Sequence, residues 1–142
     1  MTFTSDPLGG DGIIYDRATE EAFPTEHVIV PKSVSGKTED AEALILKAIE
    51  HKRGKGAAAY ASGKILVVFL NGSGGMWFPN RVARNLPKPL YFAAVWVVGA
   101  HGMDEGRYVY SVTSLELSEG NAPTWLVRIG KEFDAWEVTP VQ

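Results

Sequence analysis

Two stretches of the chain are apolar without alternation, residues 65–70 (ILVVFL) and residues 92–99 (FAAVWVVG). Unbroken apolar runs of this length are typical of strands covered on both faces, as in the centre of an α/β sheet. Between them, residues 79–86 begin with Pro79 and allow about two helical turns before Pro87. Strand, helix and strand in this order predict a right-handed crossover between parallel strands.

The clearest helical pattern lies in residues 38–53. Apolar side chains recur there at three- and four-residue spacing, at Ala41, Leu44, Ile45, Ala48 and Ile49. Thr38 is a suitable N-cap, acidic residues follow in the first turn, basic residues occupy the last turn, and Gly54 can end the helix. The pattern predicts an amphipathic helix that packs one stripe on the sheet and breaks near Gly54, with residues 56–63 as a weak continuation.

Shorter β patterns precede this helix. Residues 13–15 and residues 26–30 predict two strands, joined by a connection at residues 19–24. Pro31 ends the second strand because proline cannot donate to a ladder. The two strands are close enough in sequence to form a hairpin.

Antiparallel hairpins are predicted at the C-terminal end. A turn at residues 102–106 separates the second apolar run from a β-rich stretch at residues 107–117. Residues 125–129 and 134–138 predict another hairpin around a turn at residues 130–132. Aromatic residues are frequent in these strands, which suits both a core and a partner surface, at Tyr108, Tyr110, Trp125 and Trp136.

Together these elements predict an α/β protein, with α+β as the alternative class. We expect a single domain over residues 1–142, of which residues 1–12 are a flexible lead. Its mixed sheet should have parallel central strands, one main amphipathic helix, one short helix and antiparallel C-terminal hairpins. A chain of 142 residues is long enough to bury one ordinary core.

The amino-acid composition limits the kinds of site and partner that are possible. The absence of cysteine excludes disulfides, thiolate zinc sites and a cysteine nucleophile. The N-terminal residues lack a signal-peptide pattern and no apolar run approaches the ~20 residues of a membrane helix, so we expect a cytoplasmic protein with no membrane partner. The net charge of −3 does not support nucleic-acid binding, which stays a candidate only through the basic residues at 51–55. A homodimer is a further candidate.

The glycine-rich turn after the first apolar run is a candidate anion site. The backbone N–H groups of Ser73, Gly74 and Gly75 could converge near the start of the short helix, where Arg81 adds positive charge. The alternative is a turn in which the glycines only permit the bend.

His101 is the histidine most suited to a functional role. It follows the end of a buried strand, which is where open α/β sheets bind ligands. The three histidines, His27, His51 and His101, show no metal-ligand spacing. A histidine that merely lines a hairpin is the competing interpretation of His101.

Asp16 near a strand end is followed by a second strand, the amphipathic helix, a buried strand, a short helix and another buried strand. This order resembles the core of the restriction-endonuclease-like, or PD-(D/E)xK, superfamily over residues 13–99. Within it, the run AIEHKRGKGAAAYASGKILVVFLNG is similar to the helix and following strand of that family. The resemblance implies a metal-dependent site that cleaves phosphodiesters.

Carried onto this chain, the resemblance implies catalytic roles for Asp16, Glu26 and Lys32, with Asp16 and Glu26 binding Mg²⁺ or Mn²⁺. The second strand lacks the Glu-x-Lys motif of the family, because Lys32 lies beyond Pro31, and either Glu26 or His27 could occupy the acidic position. The first hypothesis is therefore a domain of this fold with a degenerate or absent catalytic motif, acting as a binding or accessory protein.

Two further hypotheses stay open. One is a non-catalytic ligand- or protein-binding module that uses the aromatic hairpins or the turn at residues 72–75. The other is a weak metal-dependent nuclease, which alone would require Mg²⁺ or Mn²⁺ as a cofactor. The sequence leaves open whether the protein is an enzyme, with a non-catalytic role favoured.

Overall fold

The computed structural model describes residues 2–4, 11–30, 40–70, 77–115 and 122–141. In chain order, the strands are β1 (Thr2–Thr4), β2 (Gly12–Asp16), β3 (Glu21–Val30), β4 (Ile65–Leu70), β5 (Ala94–Asp104), β6 (Arg107–Leu115), β7 (Thr124–Gly130) and β8 (Trp136–Pro140). The helices are α1 (Ala41–Arg53) and α2 (Ala57–Ala61) between β3 and β4, and α3 (Pro79–Arg84) between β4 and β5.

All eight strands form one mixed sheet in sequential order, β1 to β8. The pairs β3–β4 and β4–β5 are parallel, and every other neighbouring pair is antiparallel. The predicted mixed sheet with a parallel centre and antiparallel C-terminal strands is therefore confirmed. Because the order of the described strands never reverses, they form no switch point of the kind that creates ligand crevices in doubly wound folds.

The two crossovers leave the sheet on the same side, since both connect a strand to its next neighbour in the same direction. One core cluster accordingly joins α1, α2 and α3 to the sheet, and Ile45 and Ile49 of α1 are fully buried in it. Helix α1 ends at Arg53 with Gly54 as its C-cap, as predicted. It begins at Ala41, and the side chain of Asp40 accepts a capping hydrogen bond from the N–H of Glu42. Thr38, the predicted N-cap, lies outside the described residues.

Strand β3 starts at Glu21, so residues 21–24 form a strand where the sequence predicted a connection. Pro24 explains the difference. It pairs with Ile13 of β2, but the pairing of β3 with β4 begins one residue later, at Thr25. Proline is tolerated where a strand has a neighbour on one side only.

The C-terminal hairpins are longer than the apolar runs indicated. Strand β5 continues to Asp104 and turns through Glu105 and Gly106, whose φ angles are +49° and +76°. Two consecutive positive φ angles define the tight turn that matches strand twist. A bulge between Ala100 and Gly102 shifts the register of β5 against β6.

The N-terminal lead also differs from expectation, because Thr2–Thr4 pairs with β2 as strand β1. None of the helices in the described ranges is long and apolar enough to cross a membrane.

Candidate functional site: the open face of the sheet

The sheet has two faces with different surroundings. Leu66, Val68 and Val97 belong to the core under the helices, and this side is called the helix-covered face. Ile65, Val67 and the positions in register with them point the other way, and this side is called the open face. The three helices pack on the helix-covered face, so no helix of the described chain lies on the open face.

Apolar residues nevertheless occupy the open face along the C-terminal strands. In β8, Trp136 and Val138 point to the open face, whereas Glu137 and Thr139 point to the other side. In β7 the open-face positions are Trp125, Val127 and Ile129. In an antiparallel sheet with one face in solvent, apolar and polar residues alternate along each strand, and the apolar face is buried. Apart from Leu126, which points to the other side, the apolar residues of β7 and β8 lie on the open face, as in a sheet whose apolar face is buried.

A groove of about 550 Å³ runs across this part of the open face. Its lining is apolar apart from Ser114 and consists of Trp96, Val98, Val112, Trp125, Val127 and Val138. Trp136 stands beside it on the same face with 72% of its surface exposed, and Val138 is 53% exposed. A large apolar surface of this kind is characteristic of an interaction site.

The exposed apolar surface continues toward the centre of the sheet. Ile65 and Val67 are buried on the open face, but Phe69, two residues further along β4, is partly exposed, and Ile29 beside it is 62% exposed. The exposed apolar residues of the open face therefore extend from β3 to β8. The four aromatic residues that the sequence analysis offered as a partner surface all lie on it, namely Tyr108, Tyr110, Trp125 and Trp136.

Glu26 lies on the helix-covered face and is buried. Tyr60 donates its hydroxyl to Oε2 of Glu26 at 2.6 Å, Lys64 Nζ lies 3.2 Å from Oε1, and Lys52 Nζ lies 3.6 Å from Oε2. Two cations and a hydroxyl offset the cost of burying the carboxylate. Burial and the hydrogen bond to Glu26 raise the pKa of Tyr60. Both carboxylate oxygens are engaged within the protein, so the group joins α1, α2 and β3 structurally.

A second buried carboxylate, Glu42, links α1 to α3. Its oxygens accept hydrogen bonds from Nε and Nη2 of Arg81, both at 2.7 Å, and from the N–H of Phe78 at 2.9 Å. The hydrogen bonds from Arg81 lower the pKa of Glu42, against the opposing effect of burial. Arg81 was predicted to help bind an anion. Its charge is already paired with Glu42 in this arrangement, which leaves less for a ligand.

Asp16 and Glu26, the predicted metal pair, do not come together. Asp16 pairs with Glu21, which is five residues before Glu26 along β3, or about 17 Å at strand spacing. Asp16 is also on the open face, whereas Glu26 is on the helix-covered face. One ion could not contact both. Among the described residues, no group of three potential metal ligands is present.

His101 lies in the bulge of β5, where its Nε2 is 2.9 Å from the hydroxyl of Ser111 on β6. A Cβ atom at Gly99 would lie 3.1 Å from that hydroxyl, so the glycine leaves room for the pair. A serine and a histidine at this distance are two parts of a nucleophilic triad. In the described part of the chain no carboxylate orients the imidazole, and the pair therefore falls short of a catalytic triad.

Four predicted site residues, Lys32, Ser73, Gly74 and Gly75, lie outside the described residues, so their predicted roles stay predictions. The same holds for the turn at residues 72–75 as an anion site.

No family model, curated protein or solved structure matches this chain.

Sequence reasoning missed the contribution of β5 and β6 to the open face. Trp96 and Val98 line the groove, although their apolar run predicted a strand covered on both faces, and Val112 of the predicted hairpin strand lies beside them. A signal was present in β8, where apolar and polar residues alternate strictly in WEVTP, although none of the described helices lies on its apolar side.

Proposed function

We propose that this protein is a non-catalytic binding module that holds another protein chain against the open face of its sheet. One observation carries the proposal: the strands β7 and β8 place most of their apolar residues on the face that the described helices leave uncovered. A face built for burial and left exposed is completed by a partner.

The energetic reason is the exposure of large apolar side chains. An aromatic residue can bury roughly 150–250 Å², so covering Trp136, now 72% exposed, is worth about 3 to 4 kcal/mol of transfer free energy. Part of this free energy offsets the translational, rotational and side-chain entropy that the partners lose on binding. Tryptophan is among the residues most enriched in binding hot spots.

The restriction-endonuclease-like core remains part of this proposal as its scaffold. The antiparallel pair β2–β3, the helix α1 and the parallel strand β4 occur in the order that suggested the resemblance. The separation of Asp16 from Glu26 on opposite faces supports an accessory role rather than metal-dependent cleavage. A weak nuclease would need a different set of metal ligands.

Site-specific photo-crosslinking tests the proposed function. A photoreactive amino acid replaces Val138 on the open face, and a matched variant carries it at Thr139, the next residue, on the opposite face. In cells that produce the protein, we expect a covalent protein adduct from position 138 and little from position 139. Mass spectrometry identifies the attached chain. Equal yields at both positions, or none, would contradict binding through the open face.

A further inference from the structure

We infer that the partner on the open face is a second copy of this chain, packed sheet against sheet about a two-fold axis. The inference rests on the proposed function and specifies its partner. Two copies of one apolar sheet face can stack about 10 Å apart with interdigitating side chains, as the two sheets of a sandwich do.

The open face carries both halves of a self-complementary contact. Trp136 protrudes from it, and the groove lined by Trp96, Trp125 and Val138 lies beside it. In a two-fold interface, a residue that contacts a site on the partner is matched by the same contact in the opposite direction. Trp136 of each copy can thus enter the groove of the other, so that one geometry fills both grooves.

The chemistry of the face selects an apolar partner. Along β4 to β8, the open-face positions of the described chain carry no charged residue. Nucleic acids and anionic surfaces require cations at the contact, so this face does not suit them. Homodimer interfaces are the most apolar class of protein interface, and a second copy brings an uncharged apolar surface of the same size.

The size of the face agrees with a specific dimer. Six strands, β3 to β8, at about 4.8 Å spacing and about five residues of 3.3 Å each give roughly 500 Å² in projection. Two copies together therefore present about 1,000 Å², part of which, at Ile65 and Val67, is already buried within the chain. A dimer through this face alone lies at the lower limit for a biological interface.

Sedimentation velocity over a range of protein concentrations tests the inference, with two variants of one strand. Trp136→Glu places a charge in the contact, and Thr139→Glu places the same charge on the opposite side of β8. We expect the wild type and Thr139→Glu to sediment as dimers. Trp136→Glu should raise the dimer dissociation constant by about a thousandfold, because the two-fold contact loses two hot spots at about thirtyfold each. Circular dichroism verifies that each variant is folded, and Val138→Glu replaces Trp136→Glu if it is not.

The outcomes separate this inference from the proposed function. A wild-type protein that stays monomeric at every concentration overturns the inference, whether native mass spectrometry finds the groove empty or occupied by a small apolar molecule. A dimer that is equally stable in Trp136→Glu and Val138→Glu also overturns it, because the contact then lies elsewhere. If position 138 crosslinks to a different protein while the wild type is monomeric, the proposed function stands and the inference fails.

Discussion

The two faces of the sheet have similar apolar content and opposite surroundings. On the helix-covered face, Leu66 and Val68 are fully buried beneath α1 and α3. On the open face, apolar residues continue beyond the part that the described chain buries, from Phe69 to Val138. An apolar run therefore reports how much of a strand is to be covered, but not which chain covers it. The difference between the faces is what points to a partner.

The largest expected difference between the faces concerns stability. Ile49→Ala should lower the free energy of unfolding by about 2 to 5 kcal/mol, because the side chain is fully buried and leaves a cavity. Val138→Ala should change the stability of the monomer by less than about 0.5 kcal/mol, as expected of a surface position. Urea unfolding of dilute protein measures both. Equal losses would mean that the open face is already covered within one chain.

The sequence predicted the helix-covered face well because its signals are local. The stripe that includes Ile45 and Ile49 and the glycine after Arg53 depend on residues within one helix. Strand β4 was predicted with its exact bounds, since both of its faces are apolar over the whole strand.

The candidate site was less predictable because it depends on register. Whether Asp16 and Glu26 share a face depends on the register of β2 against β3. That register pairs Asp16 with Glu21, three residues before Pro24. The groove depends on the lateral order of β5 to β8, and no periodicity in a single strand reports that order. Leu44, predicted as a core residue, is half-buried because it lies at the margin of the stripe.

A second prediction concerns the ion pair between Glu42 of α1 and Arg81 of α3. Glu42→Gln should cost about 1 to 3 kcal/mol, since it removes the charge that receives hydrogen bonds from Arg81 and Phe78, and the access of solvent to Arg81 moderates the loss. The folded protein holds the pKa of Glu42 below its ordinary value of 4.5. The stabilisation of the folded protein by Glu42 is therefore fully present above pH 4.5 and is lost as the pH falls through the lowered folded pKa.

Urea unfolding at a series of acidic pH values tests this. The wild type should lose stability with acid more steeply than Glu42→Gln, and the two curves should converge at the lowest pH. Parallel curves would show that the carboxylate titrates alike in the folded and unfolded states.

Tyr60 gives a smaller effect at the opposite end of the pH scale. Tyr60→Phe should cost about 1 kcal/mol, because Lys52 and Lys64 still neutralise Glu26. The folded pKa of Tyr60 is raised above the ordinary 10.0. Its stabilisation is thus fully present below pH 10 and is lost as the pH rises through the raised folded pKa.

Ultraviolet titration of the phenolate checks this prediction. The difference between the wild type and Tyr60→Phe should isolate one phenol that ionises later than free tyrosine. A difference curve centred on the ordinary value would place Tyr60 in water, outside the helix-covered core.

The smallest expected effect tests the assignment of residues to faces. Calorimetry with Mn²⁺ should show no tight site that depends on both Asp16 and Glu26, because the two carboxylates lie on opposite faces. Asp16→Ala and Glu26→Gln are the variants to compare with the wild type. Tight binding that both variants abolish would require a different register between β2 and β3 and would restore the nuclease hypothesis.

The sequential strand order has a consequence for synthesis. Each strand that leaves the ribosome finds its neighbour already made, so the sheet can grow from the N-terminal end by adding one strand at a time. The loops that must close are short, apart from the helical crossovers on either side of β4, and short closures are fast. Of the described strands, β8 emerges last, and it carries Trp136. Nascent chains on neighbouring ribosomes would therefore acquire the protruding tryptophan only after β1 to β7 are in place.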